Sequence, residues 1–199
     1  TTRPPDHPTI QPPDHPTPLR SVILSHAYLD PAARGKLRAL AALGTAVTVG
    51  VPERWTDAEG RPLRPAVWQD DAGVRVVPIP VSGSADPRWK RRAIERLISD
   101  ARPDVVQVEE APGTRTAAIA SSIARRLKVP LVLYSETPLP PRLGFLARWS
   151  RRRTLHRAQG LQAGNALARD LLARECPGIP IAVLPQLSVT TPLVAERRP

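Results

Sequence analysis

Short apolar, β-rich runs alternate with helix-length segments along most of the chain, and this alternation constrains the fold more than any other feature. The runs are Ser21–Ser25, Ala46–Val51, Val74–Ile79, Asp104–Val108, Pro130–Tyr134, Gly160–Ala163 and Ile181–Leu184. Helix signals fill the gaps. Asp30-Pro31 reads as an N-cap followed by a first-turn proline. Leu37, Leu40, Ala41 and Leu43 then form a helical apolar stripe that Gly44 closes. Asp86-Pro87 repeats the cap-and-proline signal and predicts a helix reaching Ala101. An alanine-rich helix is expected over Thr114–Lys128, a basic one over Arg142–Arg157, and one capped by Asn165 that reaches Glu175. Parallel strands need crossovers of about a dozen or more residues, which helices of this length supply. The expected fold is therefore α/β: a Rossmann-like, doubly wound parallel sheet.

The first 18 residues differ from the rest. Pro-Pro-Asp-His-Pro-Thr occurs at 4–9 and again at 12–17, and proline this dense favours extended polyproline II over helix or central strand. A Pro-rich disordered tail is expected over 1–18, a single domain over 19–192, and the start of an interdomain linker over 193–199. His7 and His15 on such a tail make a poor metal site, and no metal is expected. A single cysteine, Cys176, rules out an intramolecular disulfide, which makes a reducing cytoplasm the default. The longest uncharged stretch, Cys176–Ala195, carries four prolines at 177, 180, 185 and 192, and makes a poor membrane span. Starting at Thr1, the chain reads as a processed or excised piece.

Charge is unevenly placed. The net charge is +11, with 29 Lys+Arg against 18 Asp+Glu. Between Glu136 and Asp170 there is no acid, while Arg142, Arg148, Arg151, Arg152, Arg153, Arg157 and Arg169 all occur. Leu143, Leu146, Trp149 and Arg153 share helical spacing there, with Phe145 beside them. Two readings follow. Such a helix lies on an anionic bilayer through Arg148, Trp149, Arg151, Arg152 and Arg153, or it faces the core and leaves its arginines solvated. No interleaved aromatic surface for nucleic acid is present.

In doubly wound sheets, ligands bind beyond the carboxyl ends of the strands. That rule selects His26 to Lys36, Glu109–Gly113, Ser135–Thr137 and Gly164-Asn165. His26 there either meets a sugar hydroxyl or phosphate, or bonds a backbone group as a loop histidine. Arg34, Gly35 and Lys36 either grip a phosphate at a helix start or form a solvated helical face. Glu109 and Glu110 end an apolar strand, where alternation aims only one of them into the crevice. Carboxylates in that position are costly unless they face solvent or a ligand. Glu136 ends the next strand in the same way. These acids either accept hydrogen bonds from sugar hydroxyls or cap the following helices. No Gly-x-Gly-x-x-Gly or Walker loop follows the first strand, no Gly-x-Ser-x-Gly elbow occurs, and no zinc spacing is present.

Several segments, in order, carry a family resemblance. They are Arg34-Gly-Lys-Leu-Arg-Ala-Leu-Ala-Ala-Leu-Gly44, Thr48-Val-Gly-Val-Pro-Glu-Arg-Trp55, Arg102-Pro-Asp-Val-Val-Gln-Val-Glu-Glu-Ala-Pro112, Val129-Pro-Leu-Val-Leu-Tyr-Ser-Glu136, Ala163-Gly-Asn165 and Ile181-Ala-Val-Leu-Pro-Gln186. Together they resemble the N-terminal, acceptor-binding domain of family 4 glycosyltransferases, which have the two-domain GT-B fold. The resemblance implies retaining sugar transfer from a nucleotide-sugar donor, with no metal or cofactor. It places Glu110 as the catalytic carboxylate beside the reacting sugar. His26, Arg34, Gly35, Lys36, Glu109, Ser135, Glu136 and Asn165 are placed as substrate-binding. It also implies a sugar or lipid-linked acceptor, and a position in the cytoplasm, peripheral to the inner face of the membrane. The donor-binding domain would start near Pro199, so the chain is expected to be inactive without it. The alternative is a non-catalytic module that docks on a partner protein or an anionic membrane through the arginine-rich helix.

Overall fold

A computed structural model describes residues 18–56, 60, 62–64, 71, 73–83, 88–136 and 143–184. The tail over 1–17, the Asp86-Pro87 signal, Arg142, Gln186 and the boundary at 192 lie outside the described residues.

Seven parallel strands form one sheet: β1 Arg20–Leu24, β2 Ala46–Pro52, β3 Val74–Ile79, β4 Val105–Val108, β5 Leu131–Ser135, β6 Gly160–Ala163 and β7 Ile181–Val183. Their spatial order is β7-β6-β5-β4-β1-β2-β3. Every neighbouring pair runs parallel. The helices are α1 Gly35–Ala42, α2 Arg91–Ala101, α3 Arg115–Leu127, α4 Phe145–Leu155 and α5 Ala166–Glu175.

Both sheet faces are covered, as an all-parallel sheet requires. Alternation along β1 sends Val22 and Leu24 into one core and Ile23 into the other. The larger core joins these strands to α2 and α3 through Ile94, Ile98, Ala120 and Ile123. Leu155 and Leu172 extend it to α4 and α5. The smaller core packs Leu37 of α1 on Val47, Val49 and Val51 of β2. Winding proceeds one way from β1 to β3 and the other way from β4 to β7. Right-handed crossovers therefore place the later helices opposite α1. Gly50 of β2 admits a close approach of α2, since an added Cβ would meet Leu24 Cδ2 and Leu97 Cδ2 at 2.7 Å.

Of the expected caps, those at Asp30 and Asn165 are present, and Thr114 caps its helix as well. Asp30 Oδ1 accepts from the Ala32 amide at 2.9 Å, Thr114 Oγ1 from Ala117 at 3.2 Å, and Asn165 Oδ1 from Ala168 at 2.8 Å. Gly44 closes α1 with φ +87°, a left-handed conformation that favours glycine. Pro31 first opens a 3-10 turn over Pro31–Arg34, and α1 begins only at Gly35. The second expected helix starts later than its signal. A two-residue ribbon pairs Val81–Ser82 with Arg88–Trp89, and α2 begins at Arg91. The basic helix is shorter than expected, running from Phe145 to Leu155.

Candidate functional site

The sheet order reverses between β1 and β4, the place where doubly wound sheets open a crevice. β1 ends at Leu24 and its chain continues to His26, while β4 ends at Val108 and continues into Glu109 and Glu110. Two residues 84 positions apart meet across this switch point. Glu110 Oε1 accepts from the His26 amide and lies against His26 Nδ1, both at 2.7 Å. An ionised carboxylate only accepts, so Nδ1 carries the proton and Nε2 is left for another partner. Trp55, just past the end of β2, stacks on the His26 ring with centroids 4.4 Å apart and planes 17° apart. The imidazole is thus fixed on two sides. Burial pushes its pKa down, but the hydrogen bond and charge of Glu110, with the charge of Glu136, outweigh that and raise it above 6.5.

The next strand adds a second carboxylate. Tyr134 of β5 donates its hydroxyl to Glu136 Oε2 at 3.3 Å. Burial and the charges of Glu136 and Glu109 push the Tyr134 phenol up to about 12, so it stays a neutral donor. Asn165 Nδ2 donates to the Glu136 carbonyl at 2.9 Å, tying β5 to the start of α5. Gly164 leaves room for this arrangement: a Cβ there would collide with the Tyr134 hydroxyl and sit 2.9 Å from Glu136 Cβ.

Glu109 corrects one expectation. Its side chain is fully buried. Inside the fold it accepts from Tyr28 Oη at 2.7 Å and Gln107 Nε2 at 2.6 Å, and it pairs with Lys36 Nζ. A buried carboxylate persists when its acceptors are satisfied this way. Burial and the adjacent Glu109 charge hold the Tyr28 phenol well above its ordinary range. Glu109 is therefore a brace beneath the rim, and Lys36 is drawn to it.

Arg34 corrects another. Its side chain is completely buried, so it does not reach a phosphate. Arg34 Nε donates to the Tyr28 carbonyl at 2.8 Å, Nη2 to the Leu29 carbonyl at 3.3 Å, and Nη1 pairs with Asp71. It fastens the 26–34 loop that carries His26. Gly35 is the first residue of α1, and Ser135 is the buried last residue of β5.

On α4 the expected surface divides. Arg148, Trp149, Arg152 and Arg153 are exposed, but Arg151 is 5% exposed. Arg151 Nη2 binds Glu175 Oε2 at 2.9 Å, so it locks α4 to α5. Helical phase explains this, because Arg151 shares the inward face with Thr154 and Leu155. Phe145 and Leu146 point outward, 81% and 77% exposed, so the core-facing reading of that stripe fails. Arg153 lies over the Trp149 ring, 5.1 Å from its centroid.

Residue types alone pointed to neither Trp55, Tyr28, Tyr134 nor Gly164. The strand-end rule reaches Trp55, three residues past β2. It also selects Gly164 and the 26–36 segment that contains Tyr28, but their roles, and that of Tyr134, follow only from the contacts they make in the fold. Among the described residues no cluster of histidine, cysteine and acids could hold a metal, and no helix is long and apolar enough to cross a membrane.

The comparisons with known proteins agree with this architecture. The model of the glycosyl transferase 4-like domain matches residues 30–186. No curated protein is a significant match. Among solved structures, the chain is similar to a UDP-GlcNAc 2-epimerase from Methanocaldococcus jannaschii, with 19% identity and a TM-score of 0.51, over 82% of this chain and 44% of that one. It is also similar to HepE from Anabaena, solved in complex with UDP, with 10% identity and a TM-score of 0.54, over 84% and 44%. A third is a UDP-N-acetylglucosamine 2-epimerase from Rickettsia bellii, with 11% identity and a TM-score of 0.51, over 84% and 44%. The chain thus spans less than half the length of each of these structures. At such identities they show the fold alone, a Rossmann-like parallel sheet flanked by helices. With the family match covering most of its length, the chain belongs to the glycosyl transferase 4-like domain family.

Proposed function

We propose that the chain is the acceptor-side half of a retaining glycosyltransferase, and that its rim of His26, Glu110, Glu136 and Tyr134 is one wall of the transfer cleft. The observation that carries this reading is the convergence of an oriented imidazole and a phenol–carboxylate pair beyond the carboxyl ends of β1, β4 and β5. Sugar hydroxyls both donate and accept. Glu136 offers acceptor oxygens, and His26 Nε2 offers an acceptor when neutral or a donor when charged. Trp55 adds an apolar ring edge at the same place. Glu110 is the carboxylate nearest the reacting centre in this reading, and it acts by holding His26 in one tautomer and orientation. Asn165 and Ser135 hold the β5 end in place, with Glu109 and Lys36 beneath. The donor is a nucleotide-sugar held by a second Rossmann-like domain across the cleft. That the relatives are more than twice the matched length supports this. Rate in such a cleft comes from aligning two reactants, so one wall alone is inert. The chain incubated with UDP-, GDP- and ADP-sugars and a saccharide panel should release no nucleoside diphosphate above the background. Addition of a family donor domain in trans should restore release. Turnover by the chain alone would overturn the half-cleft reading.

A second reading rests on a separate observation. α4 exposes Phe145, Leu146 and Trp149 beside Arg148, Arg152 and Arg153. An apolar stripe bordered by cations matches an anionic bilayer surface. In this reading the same helix brings the acceptor half to a lipid-linked substrate at the cytoplasmic face.

A further inference from the structure

A cationic concavity lies away from the rim. A cavity of about 510 Å³ opens at the amino end of β5, lined by Arg125, Lys128, Pro130, His156, Arg157 and Gln159 with Val129 and Leu131. Leu131 and Ser135 are the two ends of β5, so cavity and rim are about 13 Å apart along the strand. None of Arg125, Lys128, His156 and Arg157 has a carboxylate partner among the described residues, in contrast to Arg20, Arg34, Arg126 and Arg151.

The cavity wall is also rigidly made. Gln159 Oε1 accepts from the Leu131 amide at 2.8 Å, and its Nε2 donates to the Arg157 carbonyl at 2.9 Å. The Gln159 amide donates back to the Leu131 carbonyl at 2.9 Å. This double clamp fixes the 156–159 turn against β5. Across the opening, Lys128 closes α3 in the left-handed conformation, φ +57°. Burial, with the charges of Arg153 and Arg125, pulls the Arg157 guanidinium below its ordinary value. Like charges gathered on fixed supports repel one another until an anion sits between them. The volume falls within the range of small-molecule sites.

We propose that this cavity is a second ligand site, separate from the cleft, which takes a multiply charged phosphate or diphosphate group. Arg125 and Arg157 supply planar, two-pronged donors to phosphate oxygens, and Lys128 and His156 add further donors. The group comes either from a free phosphorylated metabolite or from a lipid headgroup. The site stands on its own geometry and does not depend on the glycosyltransferase reading.

The test uses the full 199-residue chain with inorganic pyrophosphate, followed by titration calorimetry. Arg125→Gln combined with Arg157→Gln should weaken binding by about tenfold or more, as expected for lost charge-assisted hydrogen bonds. Arg91→Gln combined with Arg92→Gln removes the same charge from the exposed start of α2 and should leave binding unchanged. Phosphatidylcholine vesicles with and without phosphatidic acid form the second arm. Vesicle binding that the Arg125/Arg157 pair abolishes, without pyrophosphate binding, identifies a headgroup. Pyrophosphate binding without vesicle binding identifies a free metabolite. Should the double variant fail to fold, phenylglyoxal modification of the unaltered chain gives the answer: pyrophosphate or phosphatidic acid should shield Arg125 and Arg157 but not Arg91 and Arg92. Equal losses in both pairs, uniform modification, or no binding in either arm would overturn the proposal.

Discussion

At the scale of single residues, buried charges do the positioning. Arg34 is enclosed and holds Asp71 and two loop carbonyls. Its removal leaves the buried Asp71 with only the partly exposed Arg38 at 3.3 Å, and leaves the Tyr28 and Leu29 carbonyls without its hydrogen bonds. Arg34→Met should lower stability by about 3–5 kcal/mol in urea unfolding, and a loss under about 1 kcal/mol would contradict that role. His26 adds a pH dependence. Its folded pKa is raised, so its contribution is complete below the unfolded value of 6.5 and fades as pH rises through the folded value. His26→Gln should therefore lower the melting temperature more at about pH 5.5 than at about pH 8.5. An equal loss at both would show that the pair with Glu110 contributes no charge term. Strand ends made His26, Glu110 and Glu136 legible as candidates. The burial of Arg34 was not legible, because Asp71 lies 37 positions later in a charged stretch with no periodicity. Likewise the fate of Glu109 depends on Tyr28, in the turn after β1, and on Lys36 of α1.

Among the elements, caps and apolar periodicity carried most of the information. The Asp30, Thr114 and Asn165 signals each mark a turn or helix that forms where they stand. The ribbons Trp55–Thr56 with Pro62–Leu63 and Val81–Ser82 with Arg88–Trp89 leave no mark in the sequence pattern. Two-residue strands have no period to detect. Helix α4 shows how phase decides function. Arg151 and Arg152 are neighbours in sequence, yet one is sealed against Glu175 and the other faces solvent. A vesicle assay separates these roles. Each cation near an anionic surface contributes about 1 kcal/mol, so replacing Arg148, Arg152 and Arg153 by Gln should lower binding at low salt by about a hundredfold. Phe145→Ser with Trp149→Ser should also weaken it. Sedimentation with anionic vesicles unchanged in both variants would eliminate the bilayer reading of α4.

For the molecule as a whole, alternation of strand and helix was enough to specify a doubly wound sheet. Alternation does not set strand order, so the reversal between β1 and β4, and with it the place of the rim, came from the structure. What lies opposite that rim is a matter of a second wall, and the account rests on the wall that is present. It holds that saccharides meet this chain at the carboxyl ends of β1, β4 and β5. The direct measurement is an amide NMR titration of the isotopically labelled chain with a panel of mono- and disaccharides. The account predicts saturable shifts confined to the neighbourhood of His26, Trp55, Glu110, Tyr134, Glu136 and Gly164, abolished by Glu136→Gln. Shifts centred elsewhere, or a rim untouched by every saccharide, would contradict it.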